Sequence, residues 1–203
     1  MSTTGLGDEI MWLLGDTSGA GLTNLGTTGT ATNRNSQYVS KPGAGANFAY
    51  HFPGGSIEIP SIFAGNSSAK SVSFWFYPDD TGSRFYFSDA PNFANSVGGV
   101  LSTLSTNDSF LTIGNGVSFD AAITTFANSS LNTGWNHQAL VFDNGKSLVY
   151  LNGSLVLTST AQLFSFPTYT STSNDKALWG AESRSPYNTI RRFKGWMDDF
   201  RQL

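Results

Sequence analysis

Short runs of alternating apolar and polar residues recur along this chain, and each run is broken by glycine, proline or an Asn-Gly pair. A period of two marks strands, because successive side chains point to opposite faces. In SIEIP (56–60), Ile57 and Ile59 share one side. In SVSFWFYP (71–78), Val72, Phe74 and Phe76 share one face, while Ser71, Ser73, Trp75 and Tyr77 share the other. Aromatic residues on both sides predict a central strand covered at least in part on each face, and Pro78 ends it. The stretch GWNHQALVFDNGKSLVYLNGSLVLTS (134–159) spells a meander. It predicts strands at 137–142, 147–151 and 154–158, joined by a turn at 143–146 and by a two-residue Asn152-Gly153 turn that needs positive φ.

Elsewhere the pattern predicts a strand at 10–14, a short strand RFYF (84–87), and strands near 100–105, 110–114 and 117–119. A last pair, KALWGAES and RFKGWMDDFRQL, finishes the chain. The Gly/Thr/Asn-rich tract after Leu14 reads as loop, and segments 15–47, 88–99 and 160–176 read as long arms. No heptad, internal repeat or long helical period is present. Composition agrees: Gly, Ser, Thr and Asn dominate, there are 16 Phe, and only 12% of residues are charged. Together these predict an all-β fold, an antiparallel β-sandwich.

The 203 residues make one domain, 1–203, long enough to bury a core without staples. The lack of cysteine excludes disulfides and thiolate metal sites. A net charge of −3 and a pI near 5.2 argue against a nucleic-acid or anionic-membrane partner, both of which need basic patches. No apolar run approaches the roughly 20 residues of a membrane span. The start, MSTTGLGDEIMWLL, has no basic region ahead of its apolar stretch and does not read as a signal peptide. Near the end, Asp198 and Asp199 are adjacent in a predicted strand, so their side chains cannot share one role.

Five segments, in order, carry a family pattern. These are MWLLGDTSGAGLTNLGTTGTAT, NFAYHFPGGSIEIP, SVSFWFYPDD, GWNHQALVFDNGKSLVYLNGSLV and FKGWMDDFRQL. Taken together the chain resembles laminin-G-like domains of the concanavalin A-like jelly-roll superfamily. The resemblance implies a jelly-roll sandwich whose closing strand lies beside the opening one. It also implies a structural calcium held by Asp198, with Asp16 or the carbonyls around Asn24 as partners. Asn24 stands where the family often has aspartate, which removes one carboxylate. The alternative is that Asp198 accepts backbone N–H bonds and ties the opening loop to the last strand, and both readings stand open here. Asp199 and Arg201 are expected to form a surface ion pair. His137 is expected to be structural.

Glycan-cleaving enzymes of this fold alternate carboxylates along one strand, and no E-x-D-x-E spacing occurs. There is also no G-x-S-x-G or H-E-x-x-H motif, so no enzymatic activity is expected. Trp75, Tyr77, Phe85 and Tyr86 are candidates for stacking on sugar rings, against the alternative that they fill the sandwich. Two non-enzymatic roles follow. One is a virion component at the particle surface, a bacteriophage capsid-decoration or tail protein that docks on other capsid proteins as a homo-oligomer. The other is a free-standing extracellular module for carbohydrate binding or adhesion to cell-surface glycans. A lone module starting at Met1 without a leader favours the first expectation.

Overall fold

The computed structural model describes residues 11–13, 25–26, 30–42, 48–60, 69–79, 84–89, 100–104, 108–113, 122–127, 131, 133–143, 146–159, 176–181 and 192–203. Among the described residues every regular element is a β-strand. In chain order these are β1 (Met11–Leu13), β2 (Thr32–Arg34), β3 (Gln37–Ser40), β4 (Phe48–Pro53), β5 (Ser56–Pro60), β6 (Ala69–Pro78), β7 (Arg84–Asp89) and β8 (Val100–Leu104). They continue with β9 (Asp108–Ile113), β10 (Ala122–Ala127), β11 (Asn136–Asp143), β12 (Lys146–Leu151), β13 (Ser154–Ser159), β14 (Lys176–Trp179) and β15 (Lys194–Gln202). One sheet runs β13-β12-β11-β6-β15-β4-β3, with β1 also paired to β15, and the other runs β10-β9-β8-β7-β14-β5-β2.

The two sheets enclose one core. Phe74, Phe76, Leu140, Val149, Met197 and Phe200 enter it from the larger sheet, and Ile57, Ile59, Phe87 and Trp179 enter from the smaller. Complete burial of side chains of this size contributes about 1.5–3 kcal/mol each. Trp179 is wholly buried, and its ring lies 5.7 Å from Tyr50, 5.6 Å from Phe52 and 5.1 Å from Phe200. The period-two reading therefore holds at β5 and β6, whose alternate residues Ile57, Ile59, Val72, Phe74 and Phe76 are buried. The meander also holds, with Asn152 at φ 52° and Gly153 at φ 82° between β12 and β13.

β15 sits inside the larger sheet. One edge pairs with β6 from Gly195 to Gln202. Beyond it Leu203 exchanges two backbone hydrogen bonds with Ser71, at 3.0 and 3.1 Å. The other edge pairs first with β4, over Lys194–Met197, and then with β1, over Phe200–Gln202. Asp198 and Asp199 fall where one neighbour hands over to the next. A β-bulge lies at the same place: Asp198 faces Trp75 and Arg201 faces Ser73, so Asp199 and Phe200 together oppose Phe74. Asp199 takes φ 49° to make the bulge. The extra residue resets the alternation, so that Met197 and Phe200, three apart, both reach the core.

Two expectations are corrected. The arm 15–47 contains β2 and β3, which pair with β5 and β4. Their residues are mostly polar on both sides, as edge strands allow, so no apolar period announces them. KALWGAES and the closing strand are not paired with each other; β14 pairs with β5 and β7 in the opposite sheet. The strand after β9 is β10 at Ala122–Ala127, and the expected strand at 117–119 lies outside the described residues, as do 90–99 and 160–175.

Gly195 shows how tightly the closing strand is seated. It has φ 140°, and a Cβ there would collide with the Tyr77 carbonyl oxygen and lie 2.9 Å from the Phe193 ring. Gly153, at φ 82°, has open space around it. Gly153→Ala is expected to lower unfolding free energy by about 1–2 kcal/mol from backbone strain. Gly195→Ala should lose roughly 3 kcal/mol or more, because overpacking adds to strain. Urea denaturation of the two variants checks the difference.

Candidate functional site

The outer face of the larger sheet, opposite the core, carries a row of rings set by strand register. Trp196 of β15 stands opposite His51 of β4 on one side and Tyr77 of β6 on the other. Trp135, just ahead of β11, continues the row past Tyr77. The ring centroids are 4.4 Å apart for His51–Trp196, 5.9 Å for Trp196–Tyr77 and 5.8 Å for Tyr77–Trp135. The two contacts of Tyr77 are edge-to-face, the favoured geometry for aromatic pairs. One pleat further along, Asp198, Trp75 and His137 form a second row, with Trp75 and His137 5.0 Å apart. All six rings are half-buried.

Three described acids near this face lie against basic side chains. Asp198 is fully buried, and its Oδ2 lies 2.5 Å from Nζ of Lys41, whose side chain is 6% exposed. The same ammonium lies 6.0 Å from the Trp135 ring centre, and Trp135 Nε1 donates to the Pro42 carbonyl at 3.3 Å. The chain after β3 thus crosses toward Asp198 and the Trp135 end of the row. Asp199 accepts two bonds from Arg201, at 2.8 and 3.2 Å, in a partly buried pair rather than a fully exposed one. His51 Nε2 lies 3.5 Å from Asp79 Oδ2 at the more open end of the row. Burial, with Asp198 and Tyr38 nearby, pushes the Tyr50 hydroxyl far above its ordinary pKa.

The loop that presents Trp135 is fixed by the second Asn-Gly turn. Asn152 accepts the His137 N–H at 2.9 Å and donates to Asn136 Oδ1 at 3.0 Å, while Asn136 donates to the Gly134 carbonyl at 2.9 Å. Asn152 therefore does more than shape its turn.

Of the residues singled out from sequence, Trp75 and Tyr77 do lie on this outer face. Tyr86 does not: it is 1% exposed and packs in the core against Phe74, Phe76 and Phe193, where no sugar can reach it. The side chain of Phe85 lies outside the described residues, as do Asp16 and Asn24. Asp198 faces an ammonium, and among the described residues no group of three His, Cys, Asp or Glu side chains is placed to hold a metal ion. Sequence reading missed Trp135, Trp196, His51 and Lys41. Parity offered one signal, since Trp196 sits two residues before Asp198 and so on the same face. Across the molecule, on the smaller sheet, Arg34, Ser56, Glu58, Leu178 and Arg192 line a pocket of about 210 Å³, in which Arg34 binds Glu58 through two nitrogens at 3.0 and 3.2 Å.

Residues 53–202 match the sequence family described as the concanavalin A-like lectin/glucanases superfamily. No curated protein matches the chain by sequence. Among solved structures, domain 4 of a GH43 extracellular arabinanase from Geobacillus stearothermophilus, in complex with arabinotriose, is similar at TM-score 0.62 and 20% identity, over 96% of this chain and 91% of that one. The binding domain of botulinum neurotoxin serotype D is similar at TM-score 0.62 and 14% identity, over 97% of this chain and 47% of the toxin chain. Botulinum neurotoxin type C, whose cell entry depends on two ganglioside molecules, gives TM-score 0.58 and 12% identity over 97% and 47%. This chain thus spans about half the length of those toxin chains. At such identities the likeness establishes the fold.

Burial lowers the pKa of His137 below 6.5, Asp199 works against that shift and Arg201 adds to it. Below pH 6.5 the unfolded chain takes up a proton that folded His137 holds off, so this group makes stability rise with pH through the window just under 6.5. His137→Gln is expected to reduce the loss of melting temperature between pH 7.5 and pH 5.5, read by circular dichroism.

Proposed function

The chain belongs to the concanavalin A-like lectin/glucanase superfamily, and within it we propose that this protein is a non-enzymatic binding module that holds a neutral oligosaccharide on the ring row His51–Trp196–Tyr77–Trp135. The row itself carries the reading. Four rings on four neighbouring chain segments stand outside the core, in register, where packing of the sandwich does not require them. Strands lie about 4.8 Å apart, so the row spans a length suited to a few sugar units lying across the strands. The His51 end, beside the 38%-exposed Asp79, is the open end and the point of entry.

Charge supports both halves of the proposal. A hydrolase needs carboxylates at liberty to give or take protons. Among the described residues of this face, Asp198 is committed to Lys41, Asp199 to Arg201, and Asp79 lies against His51. The Lys41–Asp198 and Arg201–Asp199 pairs cancel and so add no net positive charge to attract an acidic glycan. The arabinotriose complex of a similar domain supports a neutral ligand of this class, and the ganglioside dependence of a similar toxin supports glycan recognition more broadly. The proposed setting is extracellular, on the surface of a virion or comparable particle, and rests on the Gly/Ser/Thr/Asn-rich composition. Most of the loop arms expected to dock on such a particle lie outside the described residues.

A glycan array that includes arabino-oligosaccharides, followed by calorimetric titration of the best ligand, tests the reading. Trp196→Ala is expected to weaken binding about tenfold or more, equivalent to about 1.4 kcal/mol, with the melting curve still cooperative. Ser56→Ala, on the opposite sheet, should leave affinity unchanged. An array without any hit, or equal affinity in Trp196→Ala, would contradict the proposal.

A further inference from the structure

We propose that the Lys41 ammonium occupies the place that a divalent cation would take at the closing strand, so that Asp198 is neutralised there without calcium. This inference does not depend on the glycan reading. Calcium requires about six to eight oxygen ligands, and its sites gather several carboxylates and carbonyls around one ion. At the bulge of β15 the arrangement is different. Oδ2 of Asp198 is 2.5 Å from Nζ of Lys41, and the two side chains are 0% and 6% exposed. One carboxylate and one ammonium cancel. A calcium ion on the same oxygen would stand beside a buried like charge, which is strongly repulsive where the effective dielectric is low. The adjacent acid supplies no second ligand at that point, because the bulge turns Asp199 to a paired contact with Arg201.

Position explains why a lysine can do this. Lys41 is the first residue after β3, which pairs with β4, and β4 pairs with only the first half of β15. Where β4 leaves off, Asp198 begins the stretch that precedes pairing with β1. The long lysine side chain reaches from the β3 end of the sheet to that gap. Its ammonium lies 6.0 Å from the Trp135 ring centre, while the neighbouring Pro42 carbonyl receives the Trp135 indole N–H. A single residue thereby ties the β3 end, the closing strand and the approach to β11. A bound metal would be lost to chelation, whereas this cation is covalently part of the chain.

The test is thermal unfolding of the full chain in EDTA and in millimolar calcium, with Lys41→Met, Asp198→Asn and the double variant beside the natural sequence. The melting temperature of the natural chain is expected to stay within about 1 °C under both conditions, since nothing binds the folded state at this point. Lys41→Met should melt roughly 10 °C lower, because it strands a buried carboxylate. The double variant should recover most of that loss. If Lys41→Met does not fold, a soluble double variant with a cooperative transition gives the same support. A fall of several degrees in EDTA that calcium reverses, or a Lys41→Met variant as stable as the natural chain, would overturn the proposal.

Discussion

One extra residue in the last strand governs how this molecule closes. β15 is hydrogen-bonded along one edge to β6 from Gly195 to Leu203, but its other edge changes partner midway, from β4 to β1. At the changeover the bulge lets Met197 and Phe200 both point into the core. Strict alternation would have sent Asp199 inward instead of Phe200, placing a carboxylate against Phe87 and Trp179, the partners Phe200 now has. The positive φ of Asp199 is the conformational cost of avoiding that. The same bulge separates the two acids, giving each its own cation.

The rest of the outer face follows from this seating. Because β15 lies between β4 and β6, Trp196 finds His51 on one side and Tyr77 on the other. Gly195 allows the backbone to approach Tyr77 closely enough for that contact to form. Lys41 and Pro42 then secure Trp135, and the Asn136–Asn152 network fixes the loop from beneath. Structural and proposed binding roles are therefore interlocked: the residues that seal the sandwich are those that space the rings.

Legibility in the sequence tracked hydrophobic period. β5, β6 and the β11–β13 meander could be read directly, since Ile57, Ile59, Val72, Phe74 and Phe76 alternate and Asn152-Gly153 marks its own turn. β2 and β3 could not, because Thr32, Asn33, Gln37 and Ser40 carry no apolar rhythm and lie at sheet edges. The pairing of Lys41 with Asp198 joins residues 157 positions apart in number, 198 less 41, and local pattern holds no trace of it. The bulge was equally hidden, since the pair Asp198-Asp199 raises the question of parity without answering it. Tyr86 misled for a related reason: an irregularity in β7 between Phe85 and Phe87 lets the adjacent Tyr86 and Phe87 both enter the core, and alternation alone cannot announce that.

The proposed ligand recognition belongs to the outer face of the larger sheet and not to the core or the smaller sheet. Assigned indole N–H resonances of the 15N-labelled protein, followed during titration with arabinotriose or the best array ligand, test it most directly. The Trp196 and Trp135 signals are expected to move in a saturable way while the core Trp179 signal stays in place. Shifts confined to the residues around Arg34, Glu58 and Arg192, with Trp196 and Trp135 unmoved, would contradict it.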